Sequence, residues 1–115
     1  VVLAYNVVVQ PDVVFVGRDR LETVTEENIQ GAPTLVVEVV SRGTRALDRR
    51  RKKGIYERAG VPEDWVVDGE AREVAVFRLE ARSRKYAPPR VFKGEEALTS
   101  ATLEGLELPL SQVWA

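Results

Sequence analysis

The chain has no cysteine, no histidine and no methionine in 115 residues. Without cysteine there is no disulfide, thiol nucleophile or thiolate-held zinc, and without histidine there is no imidazole general base or zinc ligand. Any catalysis falls to carboxylates, Lys, Arg, Tyr, Ser or Thr, and any metal would be a hard cation such as magnesium or manganese held by oxygen. No apolar run approaches the roughly 20 residues of a membrane span. The opening VVLAYNVVVQ also lacks the basic start and small-residue cleavage site of a signal peptide, so a cytoplasmic location is expected. Neither sign of charge dominates, with Lys+Arg 17 against Asp+Glu 18. The partner class must therefore be read from where the charges lie rather than from their sum.

What is present is a valine-rich, β-forming chain long enough for one domain, residues 1–115, and too short for two. Two strands are expected at Val1 to Val9 and Val13 to Val16, then a loop from Gly17 to Pro33 with one short helical turn at Thr25 to Ile29. Thr34 to Val40 is a continuous apolar run broken by one acid, as in a central strand covered on both faces. Thr44 is a candidate N-cap for a helix over Ala46 to Ala59, which Gly60 and Pro62 stop. Strands follow at Asp64 to Asp68 and Glu73 to Leu79 around a GEAR turn, and Tyr86 to Phe92, broken by two prolines, reads as an irregular edge. The order predicts an α/β or α+β domain with a mixed sheet and one main helix. The chain does not begin with Met and opens inside a strand, so it is expected to be a fragment lacking the amino-terminal part of its fold.

Two acids interrupt the best β-forming segments: Asp12 in QPDVVFVG and Glu38 in TLVVEVVS. Alternation puts Glu38 on one face with Val36 and Val40, where a lone charge needs a cation or must neutralise itself. The segment SRGTRALDRRRKKGIYER holds eight of the 17 basic residues, Arg42, Arg45, Arg49, Arg50, Arg51, Lys52, Lys53 and Arg58, against Asp48 and Glu57. Asp48, Lys52 and Tyr56 form one stripe at helical spacing, which turns Lys52 toward the end of the strand bearing Glu38. In the structural reading Asp12 caps a turn, Glu38 pairs with an arginine of the helix, and the basic residues are a solvated face. In the functional reading Asp12, Glu38 and Lys52 form a phosphodiesterase site. Two carboxylates hold a divalent cation, a lysine orients water and offsets developing charge, and Arg42, Arg45, Arg49, Arg50 and Arg51 meet a phosphate backbone. Asp68 reads as a turn cap, and Trp65 and Trp114 as core or interface anchors.

QPDVVFV, GAPTLVVEVVS, DRRRKKGIYERAGVPEDWVVD and REVAVFRL, in this order, resemble the Uma-two family of "putative restriction endonucleases", a branch of the PD-(D/E)XK nuclease superfamily. LEGLELPLSQVW resembles the family's carboxyl-terminal segment. The resemblance implies a restriction-endonuclease-like core, a mixed sheet flanked by helices. It implies Asp12 and Glu38 as ligands of Mg2+ or Mn2+, the Val39 carbonyl completing the shell, and Lys52 as the catalytic lysine. Val40 stands where the superfamily's E-x-K motif places that lysine; the family carries it on the helix, supported here by Asp48 and Tyr56, with Lys53 as the alternate bearer. SRGT replaces the family's usual Ser-Pro-Ser-Thr. DNA is the implied substrate, and a sheet face left open by a missing amino-terminal helix would favour a homodimer. The competing readings are a catalytically inactive nucleic-acid-binding or assembly module of the same fold and a hydrolase of small phosphate esters.

Overall fold

The computed structural model describes residues 1–4, 7–8, 11–25, 28–40 and 46–114. Its centre is a five-stranded sheet of β3 (Val13–Phe15), β4 (Leu35–Val40), β5 (Glu63–Asp68), β6 (Glu73–Arg78) and β7 (Arg90–Lys93), in that spatial order. β4 and β5 run parallel, and every other pair is antiparallel, so the sheet is mixed. The one parallel pair needs a crossover, and α1 (Ala46–Ala59) supplies it. Two short pairs lie outside the main sheet: β1 (Val2–Ala4) with β2 (Val7–Val8), and β8 (Ala97–Thr99) with β9 (Glu107–Pro109).

Two cores form because the sheet is covered on both faces. Val36 on β4 packs against Tyr56 of α1, with Val61 and Tyr86. The opposite face carries Leu35, Trp65, Val74, Val76 and Phe92 beneath Leu98 and Leu110 of the carboxyl-terminal segment. Burying a Leu or Phe of this kind contributes roughly 1.5–3 kcal/mol, so these anchors, rather than the short β8–β9 ladder, hold that segment down. β6 shows the alternation its sequence predicts, with Val74 and Val76 buried between partly exposed neighbours.

α1 has few apolar residues, and its exposed side is Asp48, Arg49, Arg50, Arg51 and Arg58. What fixes it is its carboxyl-terminal end. Gly60 adopts φ +81, a conformation that costs glycine little. It lets the Val61 N–H reach the Tyr56 carbonyl at 3.0 Å and the Gly60 N–H reach that of Glu57 at 3.1 Å. This pair of bonds is the Schellman closure. Glu57 also accepts the backbone N–H of Tyr86 at 2.8 Å, and the Tyr86 hydroxyl donates to the Val61 carbonyl, which ties the helix end to the loop after β6.

The helix, β4, the β5–β6 hairpin and the β7 edge lie where the sequence predicts them. The amino-terminal third differs. The Val1 to Val9 run is two short antiparallel strands rather than one, and the helical turn expected at Thr25 to Ile29 is replaced by a 3-10 helix at Arg18–Thr23 and a Val24–Ile29 bridge. Arg20 accounts for the shift, since its guanidinium donates to the Ala32 carbonyl at 2.9 Å and pins the loop against the entry to β4. Thr44, expected as the N-cap of α1, lies outside the described residues. Asp68 caps its turn, accepting the N–H groups of Glu70 and Ala71. Trp65 lies in the core, and the Trp114 indole N–H donates to the Gly94 carbonyl at 2.7 Å. Among the described residues no helix is long and apolar enough to cross a membrane.

Candidate active site

The antiparallel register that pairs Val13 with Val37 carries Asp12 across from Glu38, at the end of β4 nearest α1. Asp12 is exposed rather than buried, contrary to expectation, because it precedes β3 at the sheet edge. Its Oδ2 accepts the backbone N–H of Val39 at 2.7 Å, which locks the edge segment onto β4. Glu38 is the withdrawn acid, its side chain 12% exposed. Both of its oxygens are engaged by α1. The Tyr56 hydroxyl donates to Oε1, and Lys52 Nζ stands 3.5 Å from Oε2. Helical spacing of four residues makes this possible, since Lys52 and Tyr56 project from one face one turn apart.

These groups line a cleft of about 170 Å3 between β4, β5 and α1, together with Asp48, Arg49, Lys53 and Asp64. Burial, reinforced by the hydrogen bond to Glu38, holds the Tyr56 hydroxyl well above its ordinary range, so it stays a donor. Burial also pushes the Asp64 carboxyl up to about 7; the Glu38 charge adds to the shift and Lys53 opposes it.

The sequence-predicted residues fall into three groups. Asp12, Glu38, Lys52, Asp48 and Tyr56 converge on the cleft, and Val39 borders it. Lys53, the alternate bearer of the lysine role, also reaches the wall, but its Nζ sits 4.3 Å from the centre of the Phe77 ring. Lys52 is therefore the lysine that meets Glu38. Arg49, Arg50 and Arg51 lie exposed on α1, whereas Arg42 and Arg45 lie outside the described residues. Among the described residues no group of three or more acidic side chains gathers closely enough to hold a metal by itself. Two neighbouring carboxylates still suit Mg2+, which binds through one or two carboxylates and keeps several waters.

The family model described as "putative restriction endonuclease", Uma2, matches residues 4–111. The chain belongs to the Uma2 family. No curated protein matches it. Its fold is similar to that in the crystal structure titled a putative nuclease belonging to DUF820 from Anabaena variabilis, with a TM-score of 0.69 at 20% sequence identity. That alignment covers 90% of this chain and 58% of the other, so the Uma2 chain spans little more than half the length of its structural neighbour. The sheet, the helix and their connection are thus those of a nuclease-fold protein.

Asp64 is the cleft residue that the Uma2 sequence does not advertise. In PEDWVVD it reads as the start of a strand, and nothing local marks it. Only the parallel register, which pairs Val36 with Asp64 and Glu38 with Val66, puts its carboxyl on the face that bears Glu38. It is 1% exposed, and its Oδ1 has no hydrogen-bond partner among the described residues.

Proposed function

We propose that the cleft hydrolyses phosphodiester bonds of DNA as a Mg2+- or Mn2+-dependent endonuclease. The observation that carries this reading is the meeting of Asp12, Glu38 and Lys52 in one cleft, from an edge segment, a strand and a helix. Asp12 and Glu38 are the residues that would hold the cation, with the Val39 carbonyl beside them. Bound there, it would polarise the scissile phosphate and acidify a water. Lys52 orients that water and offsets negative charge developing on the phosphate oxygens, a task suited to a compact ammonium. Tyr56 holds Glu38 in place, while Asp48 and Lys53 support Lys52 along the cleft wall. Arg49, Arg50 and Arg51, with Arg42 and Arg45, supply contacts to the DNA backbone.

A homodimer belongs to the same proposal, supported by exposed Val13, Phe15 and Val39 on one sheet face, as does a cytoplasmic setting in which DNA is the substrate. The engagement of both Glu38 oxygens by protein groups favours one other reading, a catalytically inactive nucleic-acid-binding module of this fold. Nicking of supercoiled plasmid separates the two. Cleavage with Mg2+ or Mn2+, suppressed by EDTA and by Lys52→Ala but retained in Lys53→Ala, supports the nuclease. Absence of metal-dependent nicking by the folded chain, with DNA binding retained, favours the inactive module.

A further inference from the structure

The sheet face opposite the cleft carries a second concentration of positive charge. Residues 78–90 contain Arg78, Arg82, Arg84, Lys85 and Arg90 against a single acid, Glu80. Register places Arg78 on β6 and Arg90 on β7 on the face that bears Val76 and Phe92, away from α1. Together with Arg82 from the turn beyond β6, they border an open groove of about 890 Å3 with Val76 and Phe92 at its base and Glu80 on its wall. Among the described residues none of these three arginines forms an ion pair. Three uncompensated guanidinium groups around one recess make a positive field that the protein's own carboxylates leave unbalanced.

Arg90 adds a feature that charge alone does not explain. Its guanidinium carbon lies 4.7 Å from the centre of the Phe92 ring, and Phe92 is only 2% exposed, so the aromatic serves as a buried seat for an exposed guanidinium. The guanidinium is planar, stacks on π faces and matches phosphate oxygens in pairs. A planar π system can approach Arg90 face-on only when it is not already stacked in a duplex.

We propose that this groove binds single-stranded nucleic acid, with Arg78 and Arg82 on its phosphates and Arg90, seated on Phe92, stacking on an unpaired base. An acidic peptide would satisfy the charge but leave the stacking surface unused. The groove lies across the sheet from Glu38 and Asp12, so it is a site separate from the cleft and its binding needs no metal. Failure of the nuclease reading would leave it standing, and the reverse also holds.

The test is fluorescence anisotropy with a labelled oligothymidylate in EDTA over a range of salt concentrations, with circular dichroism on every variant. Arg78→Ala/Arg90→Ala is expected to weaken binding about tenfold or more and to reduce the slope of log affinity against log salt by about 1.4, at roughly 0.7 per lost phosphate contact on single strands, if both arginines reach phosphates, and by less where Arg90 only stacks. Arg90→Lys keeps the charge and loses the stacking plane, so affinity is expected to fall about fivefold or more with little change in slope. Unchanged affinity and slope in the folded double variant would overturn the proposal. So would binding abolished by Arg49→Ala/Arg50→Ala on α1 but untouched by the groove variants, or an oligoglutamate peptide competing as well as unlabelled oligothymidylate.

Discussion

The Tyr56 hydroxyl donates to Glu38 from a side chain that is itself fully buried, so the acid on β4 is held by the helix that crosses over it. The contact couples fold to site, since Tyr56 both anchors α1 on Val36 and orients the carboxylate. Tyr56→Phe keeps the ring and removes only the donor. It is expected to cost about 1.5–3 kcal/mol, the range for a hydrogen bond to a charged group, measured by urea denaturation. The same variant is expected to reduce any metal-dependent cleavage. Wild-type stability in Tyr56→Phe would mean that the bond is not maintained in solution.

Asp64 makes stability depend on pH. Its carboxyl is raised from 3.8 to about 7 in the folded chain, chiefly by burial, so the folded state binds this proton more tightly than the unfolded state. The contribution is therefore complete below about pH 4, declines as pH rises between 4 and 7, and is fully lost above 7. At 1.36 kcal/mol per pH unit the total is about 4 kcal/mol. Asp64→Asn is expected to match the wild type near pH 4 and to exceed its stability by a few kcal/mol at pH 8, in EDTA. Parallel pH profiles for the two proteins would show that Asp64 ionises normally.

The opposite face has its own buried acid. Glu63 is fully buried, and Ser100 donates to its Oε2 at 2.6 Å, while Ser100 Oγ in turn accepts the N–H groups of Thr102 and Leu103. Ser100→Ala removes three hydrogen bonds and leaves the Glu63 carboxylate without a donor, as its Oε1 already lacks one among the described residues. The expected cost is about 1–3 kcal/mol in thermal or urea unfolding, with metal binding in the cleft unchanged. A neutral outcome would place water, rather than Ser100, as the effective partner of Glu63.

Legibility in the sequence followed the range of the interactions involved. α1 was readable because its stop, Gly60, and its stripe of Asp48, Lys52 and Tyr56 are local features. β4 was readable because a run of valines broken by one glutamate has few other structural solutions. The 3-10 helix at Arg18–Thr23 was not, because Arg20 reaching Ala32 is a contact across a loop that periodicity does not encode. Asp12 looked buried by composition and is exposed by its position at the sheet edge. Asp64 was invisible for a related reason: its place beside Glu38 is set by strand pairing through the α1 crossover, and two neighbouring strands can pair in registers that differ by one residue and face opposite ways. The cleft was therefore legible where its residues lie on single elements and hidden where two elements must be aligned.

The central claim is that Asp12 and Glu38 together hold a divalent cation, and Asp12→Asn tests it most directly. Asp12 is exposed and accepts one N–H, from Val39, which an asparagine oxygen can also accept, so the fold should survive the change. Isothermal calorimetry with Mn2+ on the wild-type chain and on Asp12→Asn, both checked by circular dichroism, gives the reading. The account predicts saturable binding to the wild type and its loss in the folded variant. Equal Mn2+ binding by the two proteins, or none by a folded wild type, would contradict it.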